Sequence, residues 1–235
     1  MKKVIPTLLM FFVLLTAFQC DENEALPREI AVDIDGNIYE TVTVGSQVWT
    51  IENLKTTTLN DGTPLTEYTF PADWHNGSTP VAQYQFAFTG DLNNVYPNPL
   101  PSDYYGCLYN HFAIESGKLA PEGWRIPTEA DFRILEATLS SQGFNGEVAT
   151  SLKSTIGWLP FVGNGIDSIK FNGLPNGYAS AVGTSTFTEG IATWATTDVN
   201  AANGKRVLVQ LGDQPNMIIL DNAIQIGAGI RLIKE

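Results

Sequence analysis

Apolar and polar positions alternate most clearly near the start of the chain, after an opening apolar block. That block runs from Val4 to Phe18, broken only by Pro6 and two threonines, and is preceded by Lys2 and Lys3. Its length suits the core of a signal peptide and is short for a membrane span. Residues 21–30 are polar and aperiodic, which predicts a tether. Strand periodicity begins next. Ile30, Val32 and Ile34 alternate with Ala31 and Asp33, Asp35-Gly36 makes a turn, and Ile38, Glu40, Val42 and Val44 alternate with Tyr39, Thr41 and Thr43. Gly45-Ser46 turns again before Gln47-Val48-Trp49, so the pattern is a meander of short strands.

Residues 60–105 are rich in Asn, Pro, Gly, Thr and Tyr and predict long ordered loops. LYNHFAIESGKLA predicts a short helix ending at Gly117. In PEGWRIPTEADFRILEATLSSQGF, Thr128 is placed to cap a helix and Glu129 and Asp131 suit its first turn. Phe132, Leu135 and Leu139 form one apolar face, and Gly143 is a stop signal. Beyond residue 150, Gly and Asn separate short apolar pieces, of which ATWATTD, KRVLVQLG, NMIILDN and GAGIRLIKE alternate like strands. No repeat appears, which predicts one domain with an early helix and a β-rich second half.

The end of the leader changes the picture most. The apolar run stops at Cys20, with Asp21, Glu22 and Glu24 directly after it. A cysteine there is what bacterial lipoprotein processing uses: the thiol takes a diacylglyceryl group and cleavage leaves it as the first residue. The usual lipobox has Leu three residues before the cysteine and a small residue just before it, where this chain has Ala17 and Gln19. A plain secretory signal with a chance cysteine is the alternative. The expectation is a signal peptide over 1–19, lipidation at Cys20, a tether over 20–30 and a folded domain over 31–235. The acidic residues after Cys20 resemble the surface-export signal of Bacteroidetes lipoproteins, which implies an outer-membrane anchor facing outward. A multiply acylated cysteine anchors stably where one chain does not.

The formal charge is −12, and removing Lys2 and Lys3 gives −14 (−12 minus 2). A phosphate backbone would repel that surface, so nucleic acid is not an expected partner. Cys107 is the only cysteine besides Cys20. It lies among apolar neighbours and reads as a buried inert thiol, leaving the fold without a disulfide.

Chemistry-bearing motifs are sparse. Asp33, Asp35 and Asn37 resemble the start of a calcium loop, but Gly36 is fourth rather than sixth and Val44 is twelfth where Glu is needed, so the turn reading stands. The two histidines, His75 and His111, share no metal-ligand spacing, and no metal or cofactor is expected. GxSxG, GxxxxGK[ST] and GxGxxG are absent. Carboxylate pairs arise by chance among so many Asp and Glu, so an enzyme is only the third alternative. The aromatics say more. Trp49 and Trp124 sit in strand and helix contexts and read as core. Trp74, Trp158 and Trp194 lie in loop-rich surroundings, where rings can stack on sugars while Asn and Asp bond the hydroxyls. With Asn176, Tyr178 and Asp198 they form the expected ligand-binding set.

Six segments in order, DIDGNIYETVTVGSQVWTIENLKTTTLNDGTPL, YYGCLYNHFAI, GKLAPEGWRIPTEADFRIL, SLKSTIGW, FNGLPNGYAS and GAGIRLIKE, resemble the Fibrobacter succinogenes major paralogous domain, common in lipoproteins of Bacteroidetes and Fibrobacteres. The resemblance implies an α+β, C-type-lectin-like fold: irregular loops over a twisted antiparallel sheet with one or two helices, grouped with formylglycine-generating domains. The copper chemistry of those enzymes needs a cysteine pair that the mature chain lacks. The calcium-dependent sugar site of true C-type lectins needs a Glu-Pro-Asn or Gln-Pro-Asp loop, also missing. Family members usually carry Cys where this chain has Ala120 and Leu232. Their joint loss implies that the two positions lie close together. The family's WWSST stretch appears as Thr193–Thr197 with one aromatic gone, which implies an altered ligand surface if that strand presents one. The resulting expectation is a non-catalytic surface lipoprotein that binds carbohydrate or another polymer, with an adhesive or fimbria-associated subunit as alternative.

Overall fold

The computed structural model describes residues 29–69, 74, 80–91 and 94–235. The expected leader, Cys20 and His75 lie outside them. The elements run β1 (Ile30–Val32), β2 (Ile38–Val44), β3 (Gln47–Thr50), β4 (Thr66–Glu67), β5 (Gln83–Phe86), β6 (Cys107–Tyr109), α1 (His111–Glu115), β7 (Trp124–Arg125) and α2 (Glu129–Leu139). After a π-helical turn at Ser140–Phe144 come α3 (Val148–Leu152), β8 (Tyr178–Ala179), β9 (Ser185–Thr186), β10 (Ala192–Asn200), β11 (Lys205–Leu211), β12 (Ile218–Asn222) and β13 (Ile233–Lys234). The chain is therefore a strand-rich α+β protein.

The meander forms as its alternation predicts. β1, β2 and β3 pair antiparallel, and β13 and β7 complete the sheet in the order β1-β2-β3-β13-β7. β10, β11 and β12 form a second antiparallel sheet, β4, β5 and β6 a third, and β8 and β9 a hairpin. The segment 227–229 stitches these together, bridging Gly227 to Ala179, Ala228 to Tyr109 and Gly229 to Trp194. Gly229 is needed there, because a Cβ would sit 2.4 Å from Asn176 Nδ2. GAGIRLIKE is thus mainly an irregular seam with a two-residue strand, rather than the full strand its alternation suggested.

Two apolar clusters lie on either side of the central strands. Leu208 of β11 and Leu232 before β13 enter the first, with Tyr39, Leu54, Tyr109 and Trp124. Val209 and Leu211 of β11 and Ile233 of β13 enter the second, with Trp49, Phe132, Leu135, Leu139 and Trp194. Strands covered on both faces explain why 207–211 is almost continuously apolar. Leu232 is fully buried in the first cluster, and Ala120 packs against that same cluster.

α2 begins where its residues require. Thr128 accepts from the Asp131 amide, and the Asp131 carboxylate accepts from the Thr128 amide, closing a capping box. Arg125 then grips Asp131 at 2.6 and 2.8 Å. Burial alone would push the Asp131 carboxyl up, but Arg125 and Thr128 bring it down to about 2. Gly143 stands at φ +104°, past the end of the helix.

Arg231 is wholly buried. Its Nε donates to Asn53 Oδ1 at 3.1 Å, and its Nη atoms donate to the carbonyls of Thr50, Ile51, Phe171 and Asn172. It lies over the Phe171 ring at 4.6 Å and the Trp194 ring at 5.3 Å. Burial pulls its pKa downward, opposed by the nearby charges of Glu52 and Asp167. One side chain so ties two backbone segments, 50–51 and 171–172, and the Asn53 side chain into the second cluster.

Candidate functional site

Most residues expected to meet a ligand are interior. Trp74, Trp158 and Trp194 are buried, and each indole N–H has a partner: Gln225 O at 3.1 Å, Ser154 Oγ at 3.0 Å and Asn53 Oδ1 at 2.8 Å. Trp158 also underlies the Lys153 ammonium at 4.8 Å, which donates to the carbonyls of Val162, Gly163 and Gly212. The three rings are core, because loops in this chain are themselves packed on apolar clusters. Asn176 is buried too, exchanging hydrogen bonds with the Thr193 backbone at 2.9 and 3.1 Å. Asp198 is half-buried and its carboxylate accepts from the Glu129 amide at 2.6 Å, so it serves the start of α2. Thr193–Thr196 lie buried inside β10, so that part of the Thr193–Thr197 stretch faces the interior, and only Thr197 is exposed. Burial pushes the Cys107 thiol pKa well up, in keeping with an inert thiol.

Tyr178 is different, being half-buried at the start of β8. β8 pairs Tyr178 with Thr186 of β9, and the chain then turns at Phe187. Gly177 permits this, since a Cβ there would lie 2.3 Å from the Thr186 carbonyl oxygen. Phe187 is held at φ +57°, a left-handed conformation that bulky side chains rarely adopt. The amides of Gly190 and Ile191 both donate to its carbonyl, at 3.0 and 3.1 Å, and hold the turn. The ring is 62% exposed and stacks on Tyr178 with centroids 5.9 Å apart and planes at 30°.

The two rings border a shallow depression of about 330 Å³, completed by Ile191, Gln210 and Asn222. Gln210 spends one amide hydrogen on Thr193 Oγ1, and Asn222 Oδ1 accepts from the Ala223 amide. A flat apolar surface edged by primary amides suits a ring that is apolar on its face and hydroxylated at its rim. Backbone strain of this kind persists where the surroundings over-determine it and concentrates at binding sites.

A larger groove of about 540 Å³ runs past Asn60, Ala120, Glu122, Arg125, Thr197 and Glu235. Its cation is already committed to Asp131, and its one tryptophan, Trp124, is buried. It therefore offers less for recognition than the aromatic shelf. Among the described residues, no three of His, Cys, Asp and Glu gather closely enough to hold a metal.

The family model described as the Fibrobacter succinogenes major domain matches residues 42–234. The chain belongs to this family. The match to the Fibrobacter succinogenes major domain starts within β2 and ends in β13, so it takes in the shelf, the second core cluster, most of the first and the seam at 227–229, and leaves β1 and Tyr39 before it. No curated protein and no solved structure matches the chain. The aromatic that marks the shelf, Phe187, was not singled out from sequence. It sits in TSTFTEG, where nothing local announces a left-handed phenylalanine.

Proposed function

We propose that this protein is an outer-membrane lipoprotein, anchored through Cys20 and facing outward, that binds carbohydrate without transforming it. The Tyr178–Phe187 shelf is its binding surface. The observation behind this reading is the exposed, strained Phe187 stacked beside Tyr178, with Gln210 and Asn222 at the edge. Irregular loops over antiparallel sheets support the C-type-lectin-like reading of the fold, and the leader pattern with its terminal cysteine supports the anchor.

The test is a glycan array probed with the mature chain and with a Tyr178→Ala/Phe187→Ala variant. The expected result is selective binding that falls about tenfold or more on losing the rings, since a lost contact of about 1.4 kcal/mol is tenfold in affinity. Binding unchanged in the variant would remove the shelf. No glycan bound would remove the class.

A second reading, an adhesive or fimbria-associated subunit, is favoured by one feature: Phe161, 80% exposed on the loop whose Leu159 amide donates to Glu189 O beside the shelf. Partners cross-linked to Phe161 on intact cells, with no glycan bound, would select it.

A further inference from the structure

β1 and the turn after it carry their aliphatic side chains on the outer face. Ile30, Val32 and Ile34 point outward with Ile38 of β2, each between 45% and 62% exposed, while Ala31 and Asp33 point inward. Val32 and Ile38 are direct cross-strand partners, so the four form one aliphatic ridge. The inward face is fixed by polar contacts. Asp33 accepts from the amides of Asp35 and Asn37 at 3.1 and 2.9 Å, and from the buried Tyr39 hydroxyl at 2.5 Å. That hydroxyl in turn accepts from the Lys55 amide at 3.0 Å. A slip of one residue would bury the aliphatics but destroy this hub, so the outward ridge is built into the register. Exposed aliphatic surface of this kind marks an interaction face.

We infer that the ridge of Ile30, Val32, Ile34 and Ile38 rests on the lipid surface and sets the orientation of the domain on the membrane. The inference rests on the proposed anchor at Cys20. Ile30 follows Cys20 by ten positions, a reach of at most about 35 Å when fully extended. β1 is therefore the first part of the fold that the anchor brings to the bilayer. Of the charges beside the ridge, Glu29 pairs with Lys234 and Asp35 accepts from Thr56 and Thr57, while Glu40, across from Ile30, is exposed at the margin of the ridge and can keep its carboxylate at the headgroup level. Branched aliphatics without a basic patch suit a zwitterionic interface, where an apolar face sinks to the headgroup–acyl boundary.

The experiment uses the full chain, produced with its leader in a lipoprotein-processing bacterium. The mature protein is placed in phosphatidylcholine–phosphatidylethanolamine vesicles. Nitroxide labels go on Val32→Cys, Ile38→Cys and, as control, Val182→Cys, which is exposed on the β8–β9 turn. Cys107 is buried and stays unlabelled. The expected result is severalfold greater collision with lipid-soluble oxygen, relative to an aqueous nickel chelate, at positions 32 and 38 than at 182. Equal accessibility at all three positions, on a chain whose Cys20 is shown by mass to be acylated, overturns this inference and leaves the anchor standing. Protection of 32 and 38 from both reagents points to a second copy covering the ridge and also overturns it. Absence of acyl chains on Cys20 overturns the anchor and the inference together.

Discussion

Replacing Phe187 by glycine and by alanine separates strain from recognition. The ring is 62% exposed, so only about a third of its surface is buried. Full burial of such a side chain contributes about 1.5–3 kcal/mol, so truncation here forfeits about 1 kcal/mol. The backbone at φ +57° disfavours any residue with a Cβ by about 1–2 kcal/mol. Alanine loses the ring and keeps that penalty. Glycine loses the ring and escapes it, against about 0.5–1 kcal/mol of added unfolded-state entropy. Phe187→Gly should therefore be more stable than Phe187→Ala by about 0.5–1 kcal/mol and close to the parent chain, read as urea midpoints at constant m-value. Both variants should lose glycan binding alike. Equal stability of the two would contradict the left-handed backbone, and retained binding in either would contradict the shelf.

Asp131→Asn should lower stability by about 1–2 kcal/mol at pH 7, the upper figure being the depression of its pKa at about 1.4 kcal/mol per unit, reduced because Arg125 is partly exposed. Because the folded carboxyl titrates lower than the unfolded one, this contribution is complete above the ordinary aspartate value of 3.8 and vanishes as pH falls through about 2, so urea midpoints of variant and parent should converge there. Arg231→Lys should destabilise by about 2 kcal/mol or more, since three ammonium donors cannot replace a five-donor fork serving Asn53 and four carbonyls; a calorimetric scan within a degree of the parent would refute that role. Ala120→Cys/Leu232→Cys should form a disulfide on mild oxidation, closing a loop of 112 residues (232 minus 120) and adding at most about 4–5 kcal/mol; failure to cross-link in the folded chain would place the two Cα atoms beyond about 7 Å.

Local signals in the sequence were enough for some elements. α2 is specified by residues within one turn of each other, Thr128, Asp131, Phe132 and Leu135, and appears where that pattern puts it. The strands of the early meander also follow from alternation and turn residues. Which face looks inward does not, because it depends on Tyr39 reaching Lys55, a contact set by the later course of the chain. The tryptophans show the same limit. Loop-like surroundings suggested access to a ligand, yet Trp194 is buried through Asn53, 141 positions away, and Trp74 through Gln225, 151 away. A charge count places arginine at the surface, whereas Arg231 is enclosed by carbonyls from separate segments. Tyr178 and Asp198 are the expected ligand residues that remain at the surface of a depression, and Phe187, the companion of Tyr178, is exposed in a left-handed backbone conformation that no local sequence signal announces.

A sugar ring is proposed to lie on Tyr178 and Phe187. Amide NMR shifts during titration with the best oligosaccharide from the array address it directly. Perturbations should centre on Tyr178, Phe187, Ile191 and the side-chain amides of Gln210 and Asn222. Shifts gathered instead along Asn60, Glu122 and Thr197, with the shelf silent, would contradict it.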